Sequence, residues 1–229
     1  MTTDPCASPL QTARLLQLCS AVLPVGAFSY SGGLESLQAQ GWVNDQVTLE
    51  SYLDSVGERG LACFDLPLLA RMRRALEARD DQRLEAWCAW LAAGRESREF
   101  LEQDRALGRA ALRLLADLGL PAARAERGGS EVSWALGFAI ASVDWQIDER
   151  SALLGYAFGW AENQLQAALK LGMLGHTSAQ RILLGLGARC EAWAERALAL
   201  DESEIGSSLP GLAIASSLHE VQYSRLFRS

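Results

Sequence analysis

Two histidines, five cysteines and several paired carboxylates are the groups of this 229-residue chain whose types suit chemistry. Histidine and cysteine are the common ligands of borderline metals, and a closed structural zinc site takes four of them. His176 and His219 are not in an HExxH arrangement, and no cysteine lies near either in sequence. Cys6, Cys19, Cys63, Cys88 and Cys190 are scattered, odd in number and never paired as CxxC, which is the pattern of free thiols in a reducing compartment. Asp80-Asp81 and Asp148-Glu149 fall where helices should begin, and there a negative charge favours the helix dipole; capping is the better reading than acid–base work. No GxxxxGK[ST] loop is present, and Gly185-Leu186-Gly187 lacks the rest of a dinucleotide fingerprint. The residues therefore assign no catalytic group, no metal site and no cofactor. His219 keeps two readings: a hydrogen-bonded ring near a helix C-terminus, or a transient ligand for nickel or zinc, since imidazole suits both.

Two stretches look built for contact. Leu23–Glu35 reads LPVGAFSYSGGLE and places Phe28, Ser29 and Tyr30 on a loop constrained by Pro24, Gly26, Gly32 and Gly33, with Glu35 just beyond it. Aromatic residues on a constrained loop suit a binding surface; the same residues also suit a tight interhelical turn with buried rings. The chain ends in His219, Glu220, Val221, Gln222, Tyr223, Ser224, Arg225, Leu226, Phe227, Arg228 and Ser229. Tyr and Arg are the residues most enriched at interface hot spots. Such a tail suits a segment loose in the free chain that orders on a partner, or one packed on its own domain.

The elements that must position these residues are helical. Ala and Leu dominate the apolar set and β-branched residues are few, which favours helix over sheet. Apolar residues at helical spacing predict a first helix from Ser8-Pro9, then helices over about 34–40, 48–59 (capped by Thr48), 61–78, a segment after Asp80-Asp81, 96–118, 131–143, 148–171, 177–200 (capped by Thr177) and 211–220. Leu120-Pro121 ends the long helix, and Arg124–Gly129 reads as a polar loop. The expected fold is all-α, a single-domain bundle of about nine or ten helices over residues 1–229, with 219–229 as a partner-binding tail.

Charge and hydropathy exclude several functions. A net charge of −7 and a pI near 5.0 argue against nucleic-acid binding and against docking on an anionic membrane. Lys170 is the only lysine. The N-terminus lacks a basic region followed by an apolar run, and Ala135–Val143 and Ala152–Ala161 are too short to span a bilayer. A cytoplasmic protein is expected.

The LPVGAFSYSGGLE loop and the HEVQYSRLFRS end resemble the UreF family of urease accessory proteins. Glu96-Ser97-Arg98 with Gly108, Asn163 through Leu171, and Gly175-His176-Thr177-Ser178-Ala179-Gln180 match that family in the same order. The resemblance runs from about Leu15 to Ser229. Position 176 is His where the family more often has Gln, so the resemblance assigns His176 no role. It implies an all-helical fold, often dimeric, with no enzymatic activity of its own. It also implies a complex with the scaffold UreD (UreH in some organisms), which docks on apo-urease, and with the nickel-carrying GTPase UreG. The assembly would load nickel into urease. Carried across by motif, Phe28, Tyr30 and Glu35 would shape the surface that meets the partners, and His219–Ser229 would order when the scaffold binds. Two ways of controlling the GTPase stay open: an arginine such as Arg225 or Arg228 beside the γ-phosphate, or restraint of hydrolysis until nickel is in place. A nickel carrier and a helical enzyme with an apolar pocket are the rival readings; the first lacks a His/Cys cluster and the second a convergent polar motif.

Overall fold

The protein is described by a computed structural model over residues 8–125 and 131–228. Cys6, most of the expected polar loop at Arg124–Gly129, and Ser229 lie outside the described residues. Among those residues the fold is all-α, with no strand. The helices are α1 (Pro9–Leu18), α2 (Leu34–Ala39), α3 (Gln46–Val56), α4 (Leu66–Ala78), α5 (Asp81–Ala93), α6 (Arg98–Asp117), α7 (Pro121–Ala125), α8 (Trp134–Asp144), α9 (Glu149–Lys170), α10 (His176–Ala199) and α11 (Pro210–His219).

Most helix starts follow from local capping. Ser8, Asp80, Ser97, Ser133 and Asp148 each accept a backbone N–H three residues on, satisfying one of the donors that a helix leaves unpaired. Two expected caps are corrected. Thr48 is not the cap of α3 but the third helical residue: the Asp45 carboxylate accepts the Thr48 N–H at 2.8 Å, and the Asp45 N–H donates to the Thr48 hydroxyl at 3.1 Å. The Thr48 N–H first, then the Thr48 hydroxyl, which lies 2.7 Å from Asp45 Oδ1, lower the Asp45 pKa. Thr177 also gives way, because α10 begins one residue earlier with Gly175 at its cap and no side-chain bond there. The expectation that Leu120-Pro121 ends the long helix is corrected: α6 closes at Asp117, with Gly119 at φ +96° just beyond it, and Pro121 instead opens the short α7, since proline fits a first turn.

A larger correction concerns residues 57–65. The expected break near Gly60 does not occur. Gly57–Asp65 is a π-helical segment joining α3 to α4, with Val56, Gly57 and Leu66 all in the right-handed helical region. Gly57 is explained by packing: a Cβ there would lie 2.1 Å from the Trp193 ring. Gly108 has a similar cause, because a Cβ would stand 2.5 Å from the backbone of Ser133, where the start of α8 crosses α6.

Helix α8 is the centre. Ala135 through Ser142 are all buried, as its unbroken apolar sequence predicts. It packs between α4 and α6, while α9 and α10 lie along each other. Phe138 sits edge-on to Trp134 and to Tyr156, with ring centroids 5.6 and 5.4 Å away. One buried apolar cluster draws residues from Leu18 in α1 to Phe227 near the end of the chain. Among the described residues no helix is long and apolar enough to cross a membrane.

Candidate partner-docking site

The site is built where the loop after α1, the starts of α2 and α6, and the end of α11 meet. Gly32 and Gly33 carry φ of +61° and +87°, a left-handed turn that glycine makes without steric cost. The turn throws the chain straight into α2, so Glu35 lies in its first turn. A Cβ on Gly33 would stand 2.8 Å from Leu212 Cδ1, so this turn also lets α11 approach. Glu99 lies in the first turn of α6, and His219 is the last residue of α11.

These three residues form a buried joint. His219 is 0% exposed. Its Nδ1 lies 2.9 Å from Glu99 Oε2, and its Nε2 lies 3.1 Å from Glu35 Oε2. A ring protonated on both nitrogens donates to both carboxylates, whereas a neutral ring donates to one only. Glu35 has a second task. Its Oε1 accepts the Leu226 N–H at 2.7 Å, and its Oε2 accepts the Phe227 N–H at 3.0 Å. One carboxylate thus ties the end of α11 to the tail beyond it.

Further contacts complete the attachment. The Arg228 N–H donates to the Ser29 carbonyl at 2.8 Å. Arg225 donates to Glu99 Oε1 at 3.2 Å, and its guanidinium also reaches the carbonyls of Gln222 and Glu220. Gln222 donates to the Ser224 carbonyl at 2.8 Å, shaping the turn between them. Phe227 is buried, with Lys170 Nζ 4.4 Å from its ring centroid, a cation–π contact. Glu99, Lys170 and Leu212 are parts of the site that the sequence analysis missed. A first-turn acid, an ordinary lysine and an apolar helix residue carry no local signal of such a role.

The expected site residues divide into two sets. Tyr30, Glu35, His219 and Phe227 are buried, so in this arrangement they hold the tail and offer no surface. Phe28 is 63% exposed, Leu226 51% and Tyr223 fully exposed; Glu220, Ser224, Arg225 and Arg228 are exposed beside them, while Ser29 and Gln222 are half-buried. Of the two readings of the tail, this arrangement matches the one packed on its own domain: Glu35 accepts the amides of Leu226 and Phe227, and the Ser29 carbonyl accepts that of Arg228. Ile214 and Leu218 are exposed four residues apart on α11, and Val221 is exposed just beyond its end, an apolar stripe that precedes the exposed Tyr223 and Leu226 in the chain. A stripe of this kind is what a partner helix or groove covers.

His219 has both ring nitrogens engaged on opposite sides, so Glu35 and Glu99 do not converge with it on a common point. Among the described residues no group of three or more His, Cys, Asp or Glu is arranged to hold a metal. His176 is exposed at the start of α10. Among the described residues, Cys19, Cys63, Cys88 and Cys190 form no disulfide. Burial first, then the nearby Glu162 carboxylate, pushes the Cys19 thiol up to about 12. Burial pushes Cys190 up to about 12 as well.

Comparison with known proteins bears on the whole chain. The UreF family model matches residues 43–187, a span that contains neither the LPVGAFSYSGGLE loop nor the tail. Full-length relatives cover both. The urease accessory protein UreF of Chromohalobacter salexigens is 45% identical over 100% of each chain. That of Alkalilimnicola ehrlichii is 43% identical over 96% of each. That of Psychrobacter cryohalolentis is 44% identical over 97% of this chain and 96% of its own. With the helical bundle, the loop and the tail in place, this chain belongs to the UreF family.

Proposed function

We propose that this protein is a cytoplasmic urease maturation factor that works by docking other proteins and catalyses no reaction itself. Residues 1–229 act as one domain. It bridges the scaffold UreD/UreH, through which it reaches apo-urease, and the nickel-carrying GTPase UreG, so that nickel passes inward without free release. The observation that carries this reading is the Glu35 joint. It pins the backbone of the tail while leaving Tyr223 and Leu226 facing outward, next to the apolar stripe of α11. Aromatic and aliphatic anchors on a held backbone lose little entropy on binding. Membership of a family whose relatives are named urease accessory proteins supplies the biological setting.

The test is a pull-down of purified UreD/UreH and UreG with the intact protein and with a variant lacking residues 225–229. This cut leaves α11 and His219 in place. The intact protein is expected to capture both partners and the shortened one to lose the scaffold. Equal capture by both overturns the reading.

For control of the GTPase, restraint of hydrolysis is favoured over an inserted Arg225. That guanidinium is already committed to Glu99 and to two backbone carbonyls. GTP turnover by UreG is expected to be unchanged when Arg225 is replaced by Lys; a fall of about 10³-fold, the scale of a lost arginine finger, would reverse that preference. Self-association, which the family resemblance implies, is read by sedimentation.

A further inference from the structure

Beside the tail joint a cleft of about 240 Å³ opens between the loop after α1, the π segment, α6 and α9. Its walls are largely apolar, and Phe28 stands at its edge. The volume falls below the roughly 300–1,000 Å³ of small-molecule pockets, so it suits one or two side chains better than a cofactor.

The charges on its walls are unbalanced. Among the described residues, Asp65, Glu96, Asp104 and Glu162 line the cleft against Arg95 as the one cation, and the exposed Glu96 also accepts the Leu209 N–H at 3.1 Å. Asp104 is committed: its Oδ2 accepts from Arg95 at 2.8 and 3.0 Å, and its Oδ1 accepts the Trp134 N–H at 2.8 Å. Asp65 shares the same guanidinium at 2.7 Å. One guanidinium thus serves two carboxylates, both about nine-tenths buried. Burial works against the Arg95 charge, and Asp104 and Asp65 outweigh it, so the guanidinium holds its proton well above the usual range. Burial, followed by the charges of Asp65 and Asp104, pushes the Tyr156 hydroxyl well above the usual phenol range. The cleft therefore carries negative potential at its floor and two more carboxylates on its walls. Two buried carboxylates against one guanidinium, with the half-buried Glu162 and the exposed Glu96 at the walls, favour the approach of a further cation.

We propose that this cleft receives an arginine or lysine side chain, with a neighbouring apolar residue, presented by a partner protein. The inference rests on the reading of this chain as a docking protein. An apolar stem ending in a cationic head is what Arg and Lys offer, matching apolar walls and an acidic floor. The exposed Phe28 supplies apolar area at the rim. The cleft borders α11, whose Leu212 lines it.

The experiment uses octylguanidinium as a minimal probe, with octanoate for comparison, on the full chain without any partner. Binding is read from tryptophan fluorescence, since Trp134 and Trp160 line the cleft. Gly159→Leu fills the cleft from α9, where an added Cβ meets only the Cys19 Cα at 4.0 Å. Glu162→Lys inverts one wall charge at a half-buried position. The expected result is one site binding octylguanidinium at least about tenfold tighter than octanoate, lost in Gly159→Leu and weakened in Glu162→Lys. If Gly159→Leu melts below the wild type, Glu162→Lys carries the test alone. Equal binding of the two probes, or binding unchanged by both variants, overturns the proposal. So does self-association abolished by Gly159→Leu, which would make a second copy the occupant. Because no partner is present, these outcomes are separate from those of the tail pull-down.

Discussion

Two buried polar knots in this protein share a plan and differ in what they hold. Arg95 lies between Asp65 and Asp104, and His219 lies between Glu35 and Glu99. The Arg95 knot joins the π segment to α6, and Asp104 also takes the first N–H of α8. Its bonds stay among core helices. In the His219 knot, Glu35 also accepts two amides from the tail. Of residues 221–228 only Phe227 is buried, so the tail has little apolar burial to secure it and depends on those polar bonds. A net hydrogen bond contributes about 0.5–1.5 kcal/mol, or about 1.5–3 when one partner is charged. The first knot ties core helices to one another, and the second holds a segment that can be released at modest cost.

The largest effect is expected at the structural knot. Asp104→Ala leaves Arg95 short of a carboxylate and strips an N–H acceptor from α8, and the loss of a buried ion-pair partner costs about 3–5 kcal/mol. Urea denaturation should show the midpoint fall accordingly; a change within about 0.5 kcal/mol, the scale of ordinary surface substitutions, would mean the knot is not structural. Glu35→Gln is expected to act locally. Hydrogen exchange at the Leu226 and Phe227 amides should quicken by about tenfold or more, as about 1–3 kcal/mol is lost from the attachment of the tail. Unchanged exchange there would break the distinction between the two regions.

The thiols sharpen the picture of which interior stays closed. Cys19 and Cys190 are raised from an ordinary value of 9.0 to about 12. The folded protein therefore keeps protons that the unfolded chain releases between about pH 9 and about pH 12. Their contribution is fully present below pH 9 and is lost as the pH rises through that window. Alkylation by iodoacetamide at pH 8, read by mass spectrometry, should label both slowly in the native state and rapidly in urea. Equal rates would show that neither thiol is shielded. The smallest effect is expected from the exposed Arg150, which pairs with Glu191 and Glu195. Arg150→Ala should cost at most about 1 kcal/mol, and its thermal melting is the control for the other variants.

What the sequence made legible was local. The all-α fold, the buried character of α8, the caps at Ser8, Asp80 and Asp148, and the choice of loop and tail all come from spacing and residue type. What stayed hidden was non-local. Gly60 looks like a break, yet Gly57 answers to Trp193 in another helix, and no period in the chain reveals that. Thr48 and Asp45 are both capping residues, and only backbone geometry decides which one caps. Glu35 and His219 stand 184 positions apart, so their pairing is invisible to any window of sequence. That pairing buries Glu35 and His219, while Tyr30 is buried separately against Val25, Leu107 and Ala111; Phe28, Tyr223, Leu226 and the outer face of α11 stay exposed.

The most direct measurement is the affinity of UreD/UreH for the intact protein and for Tyr223→Ala/Leu226→Ala, two side chains that face outward and hold nothing else in place. With Arg150→Ala as the control, the double variant is expected to bind at least about thirtyfold more weakly, as the loss of about 2 kcal/mol at interface anchors implies. Affinity equal to that of the control would contradict a docking role for the tail.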